Sequence, residues 1–154
     1  LVSFDLLRSF QEETAYIDRY SAPRADSAFL GCISPYVNDD GSLVDQATVK
    51  PIYDRYLQAD FMNPFLSYED ALVQRGALMG ACIIWQDLGA QLAELGLRVL
   101  SGEDPGSIPW QYPRKFNVIV NKKTADRLGI SLPRDILDAA YRIYTDYQGS
   151  YMGR

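Results

Sequence analysis

The chain contains no histidine. That absence removes the Ser-His-Asp and Cys-His nucleophile systems, histidine-liganded zinc and the commonest general base. Carboxylate, lysine, tyrosine or cysteine chemistry stays open, yet binding gains ground over catalysis before any motif is read. Cysteine is scarce as well: Cys32 and Cys82 each sit inside an apolar run that reads as a buried strand. Such residues are ordinary core thiols, and sequence spacing alone establishes neither a disulfide nor a redox compartment. No apolar run approaches the roughly 20 residues of a membrane span, and the longest, 77–85, is strand-sized. Positive charge is also short. With 15 Lys and Arg against 20 Asp and Glu, the net charge is −5, which speaks against nucleic acid as a partner. No charged n-region or apolar h-region opens the chain, so no signal peptide is visible and Leu1 is expected to be a cut end.

What is present reads as one compact α/β domain. The 154 residues are 47% apolar and 23% charged, ordinary values for a globular chain long enough to bury a core. Ser3 can cap a helix over about 4–20, on which Leu6, Leu7, Phe10, Ile17 and Tyr20 recur at helical spacing. The run 27–33 predicts a strand buried on both faces. Asp45 can cap a helix to about Gln58, with Pro51 as a possible kink. Residues 63–66 predict a short strand. Ser67 then caps a turn of helix that Gly76 breaks, and 77–84 predicts a third buried strand. An amphipathic helix follows over 87–100, closed by Ser101-Gly102. After a Pro/Gly-rich connection, Phe116, Val118 and Val120 alternate with Asn117, Ile119 and Asn121 as a fourth strand. A short helix over 123–128 ends at Gly129. Pro133 starts a last helix through about Tyr144, and 148–154 is expected to fray. Short buried strands alternating with helices predict a three-layer αβα arrangement on a mainly parallel sheet.

Few motifs carry chemistry. Asn38-Asp39-Asp40-Gly41 lacks the alternating oxygen ligands and distal glutamate of a calcium loop and reads as a solvated turn. Lys122-Lys123-Thr124 lacks the glycines of a phosphate loop and reads as an exposed helix start. Glu69 and Asp70 suit the positive end of their short helix better than acid–base work. No metal or cofactor is called for. In open α/β sheets, ligands bind outside the carboxyl ends of the strands. Ser34, Tyr36, Ser67, Tyr68, Glu69 and Trp85 fall just beyond predicted strand ends and form the candidate ligand wall. Aromatic faces, hydroxyls and one carboxylate suit a small organic molecule with apolar and polar parts. Rim packing is the competing account of the same residues.

One segment carries a many-position resemblance. Pro113, Lys115, Phe116, Asn121, Lys123, Thr124, Ala125, Leu128, Gly129 and Pro133 stand in the order and spacing that close one receptor family. Upstream, Gly76-Ala77-Leu78, Gly89 and Leu100-Ser101-Gly102-Glu103-Asp104-Pro105 continue the pattern. The chain thus resembles the ABC transporter substrate-binding proteins related to tryptophan and tyrosine receptors, clearly over 75–140 and more weakly over 26–73. The resemblance implies a periplasmic-binding-protein-like (type I) fold of two lobes around a hinge. This chain would supply the C-terminal lobe over 1–147, with hinge-recrossing segments near 103–121. It further implies a non-enzymatic, periplasmic or otherwise extracytoplasmic protein holding a small molecule, an amino acid or aromatic metabolite among the candidates. Its partner would be an ABC permease or, alternatively, a fused signalling domain, and a homodimer could stand in for the missing first lobe. A small α/β enzyme using carboxylate or tyrosine chemistry is the reading of a different class.

Overall fold

A computed structural model describes residues 7–24, 28–31 and 37–153. Its sheet has six strands in the order β1 to β6: Phe29–Leu30, Phe65–Leu66, Met79–Cys82, Asn117–Asn121, Arg142–Tyr144 and Tyr151–Gly153. Three of the five pairings are parallel, β1 with β2, β2 with β3 and β4 with β5, while β3–β4 and β5–β6 are antiparallel. The expected mainly parallel α/β sheet is therefore present. Between the strands run helices α1 (Phe10–Tyr20), α2 (Gln46–Arg55), α3 (Asp70–Arg75), α4 (Trp85–Leu100), α5 (Lys122–Leu128) and α6 (Arg134–Ala139).

Local chemistry sets these boundaries. Ser9, extended at φ −141° and ψ 163°, accepts a hydrogen bond from the Glu12 amide, so α1 starts at Phe10 within the described residues. Asp45 caps α2 through the Ala47 amide, and the helix runs past Pro51 before widening into a π turn at Tyr56–Asp60. Gly76, at φ 137°, stops α3; a Cβ there would lie 2.7 Å from the Leu57 carbonyl oxygen. Gly80 is demanded more strongly still, because a Cβ would sit 1.6 Å from the Ser67 carbonyl oxygen and force β2 away from β3.

Two expectations near the C-terminus differ from the structure. The last helix stops at Ala139: Ala140 is extended, and the Tyr141 amide donates to the Val118 carbonyl at 2.8 Å, drawing the chain into the sheet beside β4. Arg142–Tyr144 is consequently a strand, where helical spacing had predicted helix. The tail expected to fray supplies β6, whose Tyr151 and Gly153 pair with Tyr144 and Arg142.

The core gathers Val49, Tyr53, Leu57, Phe61, Leu72, Val73, Ala77, Cys82, Ile84, Ile119 and Tyr144. Burying side chains of this size stabilises by about 1.5–3 kcal/mol each. Inside it lies a polar knot made by the closing motif. Asn121, fully buried, donates to the Val73 and Gln74 carbonyls at 2.7 and 3.2 Å and caps α5 by accepting from the Thr124 amide at 3.0 Å. The Thr124 hydroxyl donates to the Gly76 carbonyl at 2.9 Å. Arg127, one turn along α5, donates to the Leu57 and Phe61 carbonyls at 2.8 and 2.9 Å, satisfying the end of the π turn. Gly129, left-handed at φ 68°, ends α5.

Candidate functional site

Strand direction collects chemistry on one edge of the sheet. β1, β2 and β3 finish there. Because β4 runs against β3, its first residue, Asn117, lies opposite Cys82 at the end of β3. β5 follows β4 in parallel and begins at the same edge with Arg142. Segments far apart in sequence thus converge: 67–70, 83–87, 115–117 and 141–142.

The six expected wall residues fare differently. Ser34 and Tyr36 lie outside the described residues, as does Cys32. Ser67 is at the edge but buried; its hydroxyl accepts from the Glu69 amide at 3.1 Å and so shapes the β2–α3 turn from inside. Tyr68 is about half exposed on that turn. Glu69 occupies the N-cap position of α3, but its side chain makes no capping bond. Its carboxyl is raised above the usual range because burial disfavours the charge. Trp85 is not in the turn after β3 but is the first residue of α4, and 74% exposed.

Sequence reading missed the groups that β4 and β5 bring. Lys115 pairs with Asp87 of α4 at 3.0 Å and stands 6.0 Å from the centre of the Tyr141 ring. The Asn117 amide points toward the same Asp87 carboxylate at 3.5 Å. Arg142 lies between the rings of Tyr141 and Tyr151, at 5.3 and 5.1 Å, and donates to Asp70. Tyr144 donates to the other Asp70 oxygen at 2.8 Å, and burial together with that carboxylate pushes its phenol up to about 12. No local pattern announces these contacts, since Asp70 and Arg142 are joined only by the sheet.

Cys82 is a buried free thiol whose pKa is pushed up to about 12 by burial and by the nearby Asp70 and Glu69 charges, which leaves it a poor nucleophile. Among the described residues no group of three or more acidic or cysteine side chains is placed to hold a metal ion. A recess of about 170 Å³ between α4 and residues 113–115 has Asp87, Gln91, Glu94, Arg114 and Lys115 among its walls. Its charges pair across the recess, Lys115 with Asp87 and Arg114 with Glu94. Pockets that enclose small organic ligands typically span about 300–1,000 Å³, so among the described residues this edge offers one wall and not a closed pocket.

Helix α4 has an unusual relation to the rest of the chain. Of its sixteen residues only Gln91 is buried, held by the Tyr112 carbonyl and the Arg114 amide at 3.0 Å each. Several of its apolar residues face outward: Leu92 and Leu97 are more than half exposed and Leu100 is 85% exposed, while Leu88 and Leu95 are partly buried. Trp110, Tyr112 and Phe116 on the following connector are also exposed. No helix of the described residues is long and apolar enough to cross a membrane.

Comparison with known proteins gives this arrangement a context. The structure of the ABC domain in complex with L-Trp from Streptococcus pneumoniae aligns with 88% of the chain at a TM-score of 0.64 and 23% identity. A conserved domain protein from Vibrio cholerae aligns with 86% at 0.58 and 20% identity. The ligand-free, open CD0873 of Clostridium difficile, a substrate binding protein with adhesive properties, aligns with 91% at 0.57 and 19% identity. The chain spans 40–42% of the length of these three proteins. No curated protein sequence matches it. At these identities the structures establish a shared periplasmic-binding-protein-like fold. The sequence profile of the ABC transporter substrate binding proteins matches residues 48–143, well over half the chain, and the chain belongs to that family.

Proposed function

We propose that the chain is the C-terminal, ligand-facing lobe of an extracytoplasmic solute receptor that hands a small organic molecule to an ABC permease. The observation that carries this reading is the pairing of two incomplete surfaces on one compact fold. Among the described residues, the sheet edge at 67–70, 115–117 and 141–142 is a polar and aromatic wall with no closed pocket over it. Beside it, α4 and the connector at 103–116 present exposed apolar side chains that no described residue covers. A first lobe would complete both, since relatives of this fold are more than twice as long. Binding would proceed by closure, with ligand contacting both lobes and favouring the closed state.

An amino acid or aromatic metabolite fits the wall's tyrosines and carboxylate, and the L-Trp held by the streptococcal relative makes aromatic amino acids the first class to test. The protein performs no chemistry on its ligand in this reading. The test is ligand-observed NMR of the folded chain against amino acids and aromatic acids. Saturation transfer to at least one compound, returned unchanged, is expected. No transfer to any compound, or conversion of one, contradicts the reading.

A further inference from the structure

The β2–α3 turn at 67–70 belongs to the ligand-facing edge, yet the helix behind it cannot fix it alone. Helix α3 has six residues, and isolated helices shorter than about 12–15 residues are marginal in water. Contacts from outside therefore decide where α3 begins and where the turn before it sits. Asn121 holds its last turn through the Val73 and Gln74 carbonyls. Its first turn is held from the far end of the chain: Asp70 accepts from Arg142 on one oxygen and from Tyr144 on the other. Those two donors are set in turn by β6. The Tyr151 ring stands 5.1 Å from the Arg142 guanidinium and meets the Tyr144 ring edge-on at 5.8 Å. The hairpin that carries Tyr151 is itself closed and seated. The Asp146 carboxylate accepts from the amides of Gln148, Gly149 and Ser150 at 2.9 Å each. Gly149, at φ 107°, lies so close to α3 that a Cβ would stand 2.7 Å from the Gln74 side-chain nitrogen. Gly153 pairs with Arg142, where a Cβ would stand 2.4 Å from the Tyr141 carbonyl oxygen. All of 145–153 lies beyond residues 48–143, the part matched by the family profile.

We infer that the C-terminal hairpin is the buttress of the ligand wall: Tyr151 orients Arg142, Arg142 and Tyr144 fix Asp70, and Asp70 fixes the β2–α3 turn. Tyr151 is thus a positioning residue, acting on affinity through Arg142 and not by touching the ligand. The inference rests on the binding function proposed above and adds to it an element outside the matched family segment.

Three variants test this: Tyr151→Ala, Tyr151→Phe and Met152→Ala. Phenylalanine keeps both ring contacts. Met152 follows Tyr151 on β6 and points to the other face of the sheet, so its truncation perturbs the strand on the side away from Arg142. Amide exchange at 67–70 is read by NMR against the β4 amides at 117–121 as internal reference. Binding of L-tryptophan, L-tyrosine and phenylacetate is titrated at a temperature where every variant is folded. In Tyr151→Ala, exchange at 67–70 is expected to quicken by about fivefold or more relative to β4, and Kd to rise by about threefold or more for each probe the parent binds. Tyr151→Phe and Met152→Ala are expected to behave as the parent. A merely structural role would speed exchange in β4 equally and would make Met152→Ala as damaging as Tyr151→Ala. Either of those results overturns the inference and leaves the binding function standing, as does affinity that survives Tyr151→Ala unchanged. A parent that binds none of the three probes also overturns it, and the wider screen then decides whether the binding function falls with it.

Discussion

The β4–α5 segment and the α4–connector segment both carry the family's sequence pattern, yet they end in opposite circumstances. In the first, the polar side chains are held from within the chain: Asn121, Thr124 and Arg127 tie α5 to α3 and to the π turn through backbone carbonyls, with only the Arg127 Nε left unpaired among these groups. In the second, a sixteen-residue helix buries one glutamine and turns several leucines outward. The first segment is architecture complete within the chain. The second, in the proposed function, is the face that a first lobe would cover. A residue's fit to a family pattern therefore does not say whether its energy is realised inside this chain or only against a covering lobe.

Substitutions can break this contrast. The largest effect is expected from Gly80→Ala, whose methyl group would lie against the Ser67 carbonyl oxygen and prise β2 from β3. A loss of about 3 kcal/mol or more is predicted, read as a shifted midpoint in urea unfolding. Asn121→Ala comes close behind. It strands the Val73 and Gln74 carbonyls and the Thr124 amide in the core, at a cost on the order of 3 kcal/mol by the same measurement. A milder loss in either case would mean that the closing motif matters less to the fold than its burial implies.

Much of this architecture was legible in the sequence, because its signals are local. The Asp45 cap, the glycine stops at Gly76 and Gly129, and the alternation through 116–121 were all read within a few residues of where they act. The C-terminal strands were not. Leu137, Ala140, Tyr141 and Tyr144 recur at helical spacing, and only the distant Val118 carbonyl makes Tyr141 the start of a strand. The same limit applied to the edge. Tyr68 and Glu69 could be placed beside a strand end, but Lys115 and Arg142 arrive through an antiparallel reversal that no local pattern encodes. Likewise, the apolar stripe of α4 gave its periodicity and not what it faces.

Smaller effects probe the pairings and the open face. Asp54 receives Lys50 and Arg75 at 2.6 Å each. Burial opposes its charge, but these two partners outweigh burial and hold its pKa below the ordinary value. A depressed folded pKa contributes stability above the unfolded pKa of an aspartate and loses it as pH falls through the folded value. Asp54→Asn should therefore cost about 1 kcal/mol at pH 7, and the difference from the parent should vanish in acid once the carboxyl of the parent is protonated. A constant difference across that range would show that the pairing is not its source. The smallest effect on stability is expected from Leu92→Gln with Leu97→Gln on α4: within about 0.5 kcal/mol, since neither side chain is buried. The same pair should reduce any self-association seen by sedimentation. A large destabilisation would mean that α4 packs inward after all.

The central claim is that ligand meets the edge where β2 and β3 end and β4 and β5 begin. Amide shift mapping of the labelled chain, titrated with the tightest-binding compound of the amino-acid and aromatic screen, tests it most directly. The account predicts perturbations concentrated at 66–70, 83–87, 115–117 and 141–142. Shifts concentrated instead around 23–24, 28, 62–64 and 128–130, at the opposite edge of the sheet, would contradict it.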